Sequence, residues 1–408
     1  MIKWLTARLP LDGRGWASPR DERRLLFRTI GDRTRGRLPA PIAWLVLASA
    51  RAVWLPFAFA RAYRFSRGPA RAPLATLFLD CLMAGAVPRE SWLWRELFGE
   101  RIELGNRATS LLLSMLGDPA GHALLADKLA TAEALRRGGA PVPETLAIIG
   151  PDSSEADLTC VRTARAGLVI KLRKGFGSHG LIMAEPMAAD CWRVNREDVG
   201  WEEFSGRLRG ARQQMLVQPW LHGAATLDGF VDADRPPVLR ITTARRPGGA
   251  PFLHDAFLAI PVPGNSASDY LTRDLRAPVD AATGRLHAAV LFANPRRRLP
   301  GAPWNGAKIE GRLLEGFEAA VRATLVAAAA IPPLPVISWD VVLTDAGPMI
   351  LEGNSMGNWL LVNFGRFRGV GAGSLVPLLA EWVPAQAPSI AGSQLDQVSR
   401  EAPSASRV

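Results

Sequence analysis

The sequence predicts an α+β fold of two or three domains, on two observations. After residue 120, strand patterns and helix patterns follow one another without the regular strand-helix-strand alternation that a doubly wound parallel sheet requires. The chain is also long and apolar enough to bury a substantial core, with 408 residues of which 48% are hydrophobic and 21% charged. This composition excludes a disordered protein.

Short apolar or alternating runs between turn residues predict the strands. They lie at 144–149, 168–172, 181–185, 215–219, 238–244, 252–260, 336–343 and 349–352. Two helices are predicted among them. Asp127 and Lys128 open a short helix that ends at Gly138, and apolar residues at four-residue steps predict a long helix over 307–330.

Positive charge is concentrated in the N-terminal third of the chain. Residues 1–110 hold 19 Lys and Arg against 9 Asp and Glu, so they account for almost all of the formal net charge of +11. Such a region suits an acidic partner, and for residues 1–70 we consider an anionic membrane surface. A nucleic acid is disfavoured, because the basic residues alternate with aliphatic runs and not with exposed stacking aromatics.

The apolar segment 38–60 leaves three interpretations open. It is long enough to span a bilayer, but Arg51 lies near its middle and Pro39, Pro41 and Pro56 interrupt it. A central Arg costs about 2.5–3.5 kcal/mol on insertion into a membrane. A buried helical layer is therefore favoured over a helix lying in the membrane interface, and a transmembrane span is the least favoured.

A reducing, cytoplasmic compartment fits the cysteines best. Cys81, Cys160 and Cys191 form no CxxC pair, and an odd number cannot close a full disulfide set. No cleavable signal peptide is predicted in the first twenty residues. Peripheral association of this cytoplasmic protein with the inner face of the membrane stays open as an alternative.

Three glycines, at positions 175, 177 and 180, follow the predicted strand 168–172. Bare backbone N–H groups at such a loop can approach phosphate oxygens. The spacing matches G-x-G-x-x-G, but a dinucleotide fold requires a helix to begin there, whereas a strand pattern follows. A glycine flap between two strands that closes over a triphosphate is the favoured interpretation. An ordinary flexible hairpin stays open as the alternative.

Residues 336–354 predict a β-hairpin with an acidic face. We expect a three-residue loop, 345–347, that ends in a left-handed glycine. This register places Asp340 opposite Glu352, with Asn354 two residues further along the same face. Two carboxylates and an amide oxygen suit Mg²⁺, and without a cation the carboxylates would repel one another. A solvated hairpin edge is the alternative.

Together these motifs resemble the ATP-grasp superfamily, and within it the sugar-transfer-associated ATP-grasp group, over residues 120–380. The resemblance rests on the order and spacing of seven features. They are Asp127-Lys128, Lys171 before the glycine loop, the strand and turn 216–223, Arg240, the stretch 277–284, Asp340, and Glu352-Gly353-Asn354. It implies an ATP-grasp fold, in which two α+β lobes clasp ATP, here preceded by a basic, helical N-terminal region.

The predicted domains follow from this resemblance. Residues 1–115 form the N-terminal region, 116–225 the lobe with the glycine-rich loop, and 226–384 the lobe with the Mg²⁺ site. A tail over 385–408, rich in Ser, Ala and Pro, is predicted to be disordered.

The resemblance implies ATP and Mg²⁺ as cofactors. The ATP-binding residues would be two lysines on the α- and β-phosphates, the glycine loop over the triphosphate, and a hinge whose backbone meets the adenine edge. They are Lys128, Lys171, Gly175, Gly177, Ser178, Gly180, Gln218, Pro219, Trp220 and Leu221. Asp340, Glu352 and Asn354 would bind the metal. Arg240 and Lys171 would be catalytic, with Arg240 stabilising charge on the transferring phosphoryl group.

In this superfamily a substrate carboxylate attacks the γ-phosphate, and an amine or similar nucleophile then displaces phosphate. The resemblance thus implies a ligase for a small-molecule carboxylate and an amine or hydroxyl acceptor, and the group's name points to cell-surface polysaccharide biosynthesis. The alternative is a catalytically silent, nucleotide-binding member of a membrane-proximal glycan-assembly complex. Ala224 and Ala225 favour this alternative, because many ATP-grasp enzymes place a ribose-binding glutamate there; Asp228 is the nearest substitute.

Overall fold

The computed structural model describes most of the chain from residue 73 onward. The described ranges are 73–84, 86–175, 180–188, 190–231, 235–265, 273–356, 358–364 and 374–385, with the single positions 56, 59, 60 and 63. Nearly all of the apolar segment 38–60 and the predicted tail therefore lie outside the described residues. Within the described ranges, no helix is both long enough and apolar enough to cross a membrane.

Two antiparallel sheets form the centre of the molecule. The first sheet has the strand order β1-β6-β2-β3-β4-β5. Its strands are β1 (Ala147–Ile149), β2 (Leu168–Leu172), β3 (Ile182–Ala188), β4 (Cys191–Val194), β5 (Glu197–Gly200) and β6 (Met215–Pro219). The second sheet has the order β11-β10-β9-β8-β7-β12-β13. Its strands are β7 (Val238–Ala244), β8 (Phe252–Ile260), β9 (Leu275–Pro278), β10 (Ala289–Leu291), β11 (Asn294–Leu299), β12 (Val336–Thr344) and β13 (Gly347–Asn354).

Helices cover these sheets. In chain order they are α1 (Leu74–Ala84), α2 (Pro88–Phe98), α3 (Asn106–Met115), α4 (Pro119–Ala126), α5 (Lys128–Arg137), α6 (Thr159–Arg162), α7 (Trp201–Arg209), α8 (Phe317–Ala330), α9 (Trp359–Val362) and α10 (Val376–Ala385), with a 3₁₀ helix at Ala225–Phe230. This mixture of antiparallel sheets and helices confirms the predicted α+β class.

One face of the first sheet is buried by α6 and α7. Ile170 of β2, Trp192 of β4 and Phe204 of α7 belong to its core, together with Val161 of α6. Along β2 the side chains alternate between faces, so Lys171 lies on the opposite face from Ile170. The lysine face is thereby left for the second sheet and the cleft described below.

The second sheet is packed on both faces. One core joins it to α1, α2, α3 and the C-terminal helices, with Trp94 and Leu112 among its buried side chains. The other core joins it to α4, α5 and α8 through residues such as Leu135, Ala320 and Trp339. Helices α4 and α5 thus pack on the second sheet although they precede the first sheet in the chain. The predicted boundaries at 115 and 225 remain predictions.

Most predicted elements are confirmed, and one helix is wrong at its start. Strands β2, β6, β7 and β8 have the predicted bounds, and α5 begins at Lys128 as expected. The long helix predicted over 307–330 begins only at Phe317. Gly311 and Gly316 adopt left-handed φ angles of 77° and 81°, which break a right-handed helix before this point.

The predicted opposition of Asp340 and Glu352 is confirmed, but the predicted loop is wrong. Thr344 pairs with Gly347, so the turn has two residues and not three. The additional residue is Leu351, at a β-bulge between the pair Asp340–Glu352 and the pair Val341–Ile350. The bulge shifts the register by the one residue that the longer loop would have supplied.

Gly353 lies between Glu352 and Asn354, where a side chain has no room. A Cβ there would lie 2.5 Å from Trp339 Cζ3, and Trp339 is fully buried at 0% exposure. We expect Gly353→Ala to lower the free energy of unfolding by about 1–3 kcal/mol, because the indole has to shift in a packed core. The matched control is Gly206→Ala in α7, where a Cβ meets nothing within 4 Å.

The control is expected to raise stability by up to about 1 kcal/mol, since Ala is the better helix former. Urea or thermal unfolding of the two variants checks the prediction. Equal effects of the two substitutions would contradict it.

Candidate functional site

A cleft runs along the free edge of β13, where the two sheets meet. Its walls come from β13, from β2 and β6 of the first sheet, and from α5. The residues that line it include Lys128, Thr131, Leu135, Val142, Pro143, Lys171, Gly175, Gln218, Ile350, Leu351, Glu352, Gly353 and Asn354. The backbone of this edge makes hydrogen bonds to neighbouring segments. Ile350 N–H donates to Pro141 O at 2.9 Å, and Leu351 O accepts from Lys171 Nζ at 3.1 Å.

Asp127 fixes the start of α5 against the end of β2. Its carboxylate accepts the N–H groups of Leu129 and Ala130 at 3.1 and 3.2 Å, as an N-cap does, and also accepts Arg173 Nε at 2.8 Å. Burial acts to raise the pKa of Asp127, but the hydrogen bond from Arg173 holds this pKa below its usual value. Lys128 N–H donates to Arg173 O at 3.0 Å. Helix α5 therefore begins at the glycine loop.

The assignment of site residues from the sequence left out Asp127 and Arg173. The sequence does carry a signal for Asp127, because an Asp directly before a helix is a typical N-cap. It carries none for Arg173, whose partner lies 46 residues away along the chain.

The two predicted phosphate-binding lysines lie in the cleft. Lys128 Nζ donates to Gly175 O at 2.7 Å and lies 3.7 Å from Glu352 Oε2. Lys171 reaches from the first sheet to the second through its bond to Leu351 O. Burial lowers the pKa of Lys171 to about 8, although the neighbouring Glu352 acts in the opposite direction. The cleft therefore holds one lysine at its rim and one at its base.

Arg240 lies directly across from Asp340 on the neighbouring strand β7. Its Nε and Nη2 donate to the two oxygens of Asp340 at 2.7 and 2.6 Å, which is a bidentate ion pair. Burial raises the pKa of Asp340, and the guanidinium of Arg240 opposes this rise. The repulsion expected between Asp340 and Glu352 is thus relieved by the protein's own cations, Arg240 on one side and Lys128 on the other.

The three predicted metal ligands retain oxygen atoms that a cation could use. Arg240 takes one lone pair from each oxygen of Asp340, and each oxygen keeps another. Asn354 Nδ2 donates to Glu352 Oε1 at 3.3 Å, so its carbonyl oxygen is left to accept or to coordinate. Glu352 is 31% exposed at the cleft. These are the hard oxygen ligands that Mg²⁺ prefers, so the residues fit the metal.

Within the described ranges, no group of three or more His, Cys, Asp or Glu is arranged to hold a metal. A cation at this site would therefore need the amide oxygen of Asn354, or oxygens of a bound substrate, in addition to the two carboxylates. Mg²⁺ is commonly bound in this way, by one or two carboxylates together with phosphates and water.

The predicted hinge is only partly in the cleft. Gln218 is 5% exposed and lines the cleft, whereas Pro219, Trp220 and Leu221 do not. Trp220 N–H already donates to Gly167 O at 2.9 Å. The binding of the adenine edge by the backbone of residues 218–221 therefore stays a prediction.

The glycine loop is described at its two ends. Gly175 and Gly180 have positive φ angles of 145° and 72°, which favour glycine at both positions. Gly177 and Ser178 lie outside the described residues. The flanking strands β2 and β3 are antiparallel neighbours, which confirms the predicted strand-loop-strand context and excludes a dinucleotide-binding helix at this loop.

The positions after the hinge contain no acidic residue at the cleft. Ala224 is buried, and its N–H donates to Leu343 O at 2.7 Å. Asp228, the nearest acidic residue, is exposed on the 3₁₀ helix and does not line the cleft. In this arrangement the segment after residue 221 therefore offers no carboxylate to the ribose hydroxyls of a nucleotide in the cleft.

Solved structures with a related arrangement show low sequence identity. The D-alanine–D-alanine ligase from Bacillus anthracis complexed with ATP is 11% identical, with 66% of this chain and 68% of that chain covered and a TM-score of 0.37. D-alanyl-alanine synthetase A from Vibrio cholerae is 12% identical, with 66% and 67% covered and a TM-score of 0.42. The ADP complex of N5-carboxyaminoimidazole ribonucleotide synthetase is 13% identical, with 57% and 45% covered and a TM-score of 0.34.

This chain thus spans less than half of the last of these proteins. No curated protein matches the sequence. A family model described as sugar-transfer associated ATP-grasp matches residues 111–365, which is well over half of the chain and includes both sheets and the cleft. The chain therefore belongs to the sugar-transfer-associated ATP-grasp family.

Proposed function

We propose that this protein is an ATP-dependent ligase that activates a small-molecule carboxylate as an acyl-phosphate for attack by an amine or a hydroxyl. One observation carries the proposal: cations and hard oxygen ligands lie together where the two sheets meet. Lys128, Lys171, Glu352 and Asn354 line the cleft. The ion pair of Arg240 and Asp340 lies beside it, because Asp340 is directly opposite Glu352 on the neighbouring strand. Membership of the sugar-transfer-associated ATP-grasp family supports it.

Phosphoryl transfer is catalysed mainly by positioning and by neutralisation of charge. In the proposed complex Lys128 and Lys171 exchange their backbone partners for phosphate oxygens. Arg240, held in one orientation by Asp340, faces the γ-phosphate and the developing acyl-phosphate. When bound, Mg²⁺ would neutralise phosphate charge, with Asp340, Glu352 and Asn354 as its protein ligands. Charge at the base of the cleft acts strongly because the surroundings of Lys171 are poorly solvated.

The proposed reaction has two steps. A carboxylate oxygen of the substrate attacks the γ-phosphorus, the bond from that phosphorus to the bridging oxygen breaks, and ADP leaves. The acceptor nitrogen or oxygen then attacks the acyl carbon and phosphate leaves, while the acceptor loses a proton. The family description supports a substrate from sugar-conjugate or polysaccharide assembly.

A second candidate is a nucleotide-binding protein without catalysis. The absence of an acidic side chain from the post-hinge segment at the cleft favours it, since Ala224 is buried and the exposed Asp228 is not among the residues that line the cleft. It requires ATP binding without turnover.

Incubation of the purified protein with Mg-ATP and a pool of cell metabolites tests the ligase. We expect ADP release that depends on the pool, together with a product whose mass is the sum of two metabolites less water. Asp340→Asn and Glu352→Gln should each slow ADP release at least about 10-fold, as loss of a charged ligand does at a metal site.

Asp345→Asn is the matched control. It removes the same charge at the turn of the same hairpin, where Asp345 accepts Ala225 N–H at 2.9 Å. ATP binding without pool-dependent ADP release would favour the silent candidate. Unchanged turnover in the Asp340 and Glu352 variants would exclude the proposed site.

Lys128 and Lys174 provide a matched pair for the phosphate contact. Lys128 lines the cleft, whereas Lys174 is exposed and does not line it. We expect Lys128→Met to weaken ATP binding about 10-fold or more, because a charge-assisted contact to phosphate is lost. Lys174→Met should change the affinity less than two-fold, by roughly the size of a surface effect. Isothermal titration calorimetry measures both, and equal losses would contradict the assignment.

The pKa of Lys171, at about 8, predicts a pH dependence of ATP binding. The lysine is charged below this pKa, and only the charged form attracts phosphate. Affinity should therefore be highest below pH 8 and fall about five-fold between pH 8 and pH 9. Lys171→Arg should flatten this profile, because arginine stays charged throughout. Binding titrations across this range check it, and a wild-type profile as flat as that of the arginine variant would refute it.

A further inference from the structure

His122 joins the end of β13 to the helix α4 that precedes the cleft helix α5. Its Nδ1 lies 2.9 Å from Ser355 Oγ, and its Nε2 lies 2.9 Å from Leu116 O. Ser355 is 7% exposed and follows Asn354 directly in the chain. Both ring nitrogens are thus engaged, one to the segment that leaves the cleft and one to the backbone before α4.

The partner of Nε2 determines the tautomer of this ring. A carbonyl oxygen only accepts, so Nε2 carries the proton and donates to Leu116 O. In the neutral ring Nδ1 is then an acceptor, and the Ser355 hydroxyl has to donate to it. Burial lowers the pKa of His122 and the Leu116 carbonyl acts against this, which agrees with a neutral ring at neutral pH. The direction of both hydrogen bonds is therefore fixed.

The end of β13 needs such a restraint. Among the strands in the described ranges, β13 is the edge strand of its sheet and pairs with β12 alone, and it ends at Asn354. Gly353, between the two proposed ligands, has no side chain to anchor this segment. On its helix-facing side the backbone of Gly353 approaches Trp339 and Leu125 of α4, where a Cβ would lie 2.5 and 3.1 Å from them.

We propose that His122 and Ser355 are positioning residues, which hold the Glu352-Gly353-Asn354 segment so that its side-chain oxygens face a bound Mg²⁺ ion. The inference rests on the proposed function, because it assigns these residues to the metal end of the same cleft. It assigns a role in metal binding to His122 on α4, a side chain that does not itself line the cleft. Partners of this kind, which orient metal ligands, commonly change metal affinity about 10–100-fold when replaced.

Substitutions of His122 separate its two hydrogen bonds. The side-chain oxygen of Asn occupies the place of Nδ1 and can accept from Ser355, whereas the amide nitrogen of Gln occupies the place of Nε2 and can donate to Leu116 O. If the bond to Ser355 carries the effect, His122→Asn should keep Mg²⁺-dependent ATP binding within about three-fold of wild type, and His122→Gln and Ser355→Ala should each weaken it about 10-fold. The double variant His122→Gln/Ser355→Ala should be no weaker than either single variant.

Two measurements distinguish positioning from a general loss of structure. ATP affinity is measured with EDTA and with Mg²⁺, and the expected loss appears only in the increment due to Mg²⁺. The control is Asp118→Ala, which removes the N-cap of the same helix, where Asp118 accepts Ala120 N–H at 2.8 Å. This variant should lower the unfolding temperature while leaving the Mg²⁺ increment unchanged.

The outcomes separate this inference from the proposed function. If wild-type protein shows no increment due to Mg²⁺, the proposed metal site itself fails. If wild type shows the increment and His122→Gln and Ser355→Ala retain it, then only the positioning role is overturned. The same holds if Asp118→Ala, against expectation, loses the increment to the same extent as these two variants. Equal behaviour of His122→Asn and His122→Gln would also overturn it.

Discussion

Two carboxylates on adjacent strands, Asp340 and Glu352, impose the constraint around which the cleft is arranged. Like charges placed directly opposite each other destabilise a sheet, so each requires a compensating cation. Arg240 supplies one from the next strand through a bidentate pair, and Lys128 supplies another from the start of α5 at 3.7 Å. The same row of the sheet continues to Phe257, which belongs to a hydrophobic core. The charged site thus adjoins a packed hydrophobic core.

The free edge of β13 is where the two halves of the molecule meet. An edge strand exposes unpaired backbone groups, and here Lys171 from the first sheet and Pro141 from the preceding loop satisfy two of them. Lys171 loses hydration in this position, which accounts for its lowered pKa. The hydrogen bond by which Lys171 joins the two sheets therefore also places, at the base of the cleft, an ammonium group that loses its proton more easily than an ordinary lysine. Binding of an anion and the approach of the two sheets would involve the same side chain.

Much of the site could be predicted from the sequence because its signals are local. The alternation in 336–354 predicted the hairpin, and the strand pattern on both sides of the glycine loop excluded a dinucleotide-binding helix. The opposition of Asp340 and Glu352 was predicted from a turn of the wrong length, and it holds because a bulge at Leu351 supplies the missing residue. The start of the long helix was predicted wrongly, because the spacing of apolar residues does not indicate the left-handed conformations of Gly311 and Gly316.

By itself, the sequence determined the fold class, the family and the residue types that make a cleft for anions and a hard cation, because periodicity and short-range spacing encode these features. Only the tertiary structure decided how they are paired. The bond from Arg173 to Asp127, the reach of Lys171 to Leu351 and the link from His122 to Ser355 join residues that are 46, 180 and 233 positions apart. Contacts at such separations depend on how helices and sheets pack, and no local pattern in the chain records that packing.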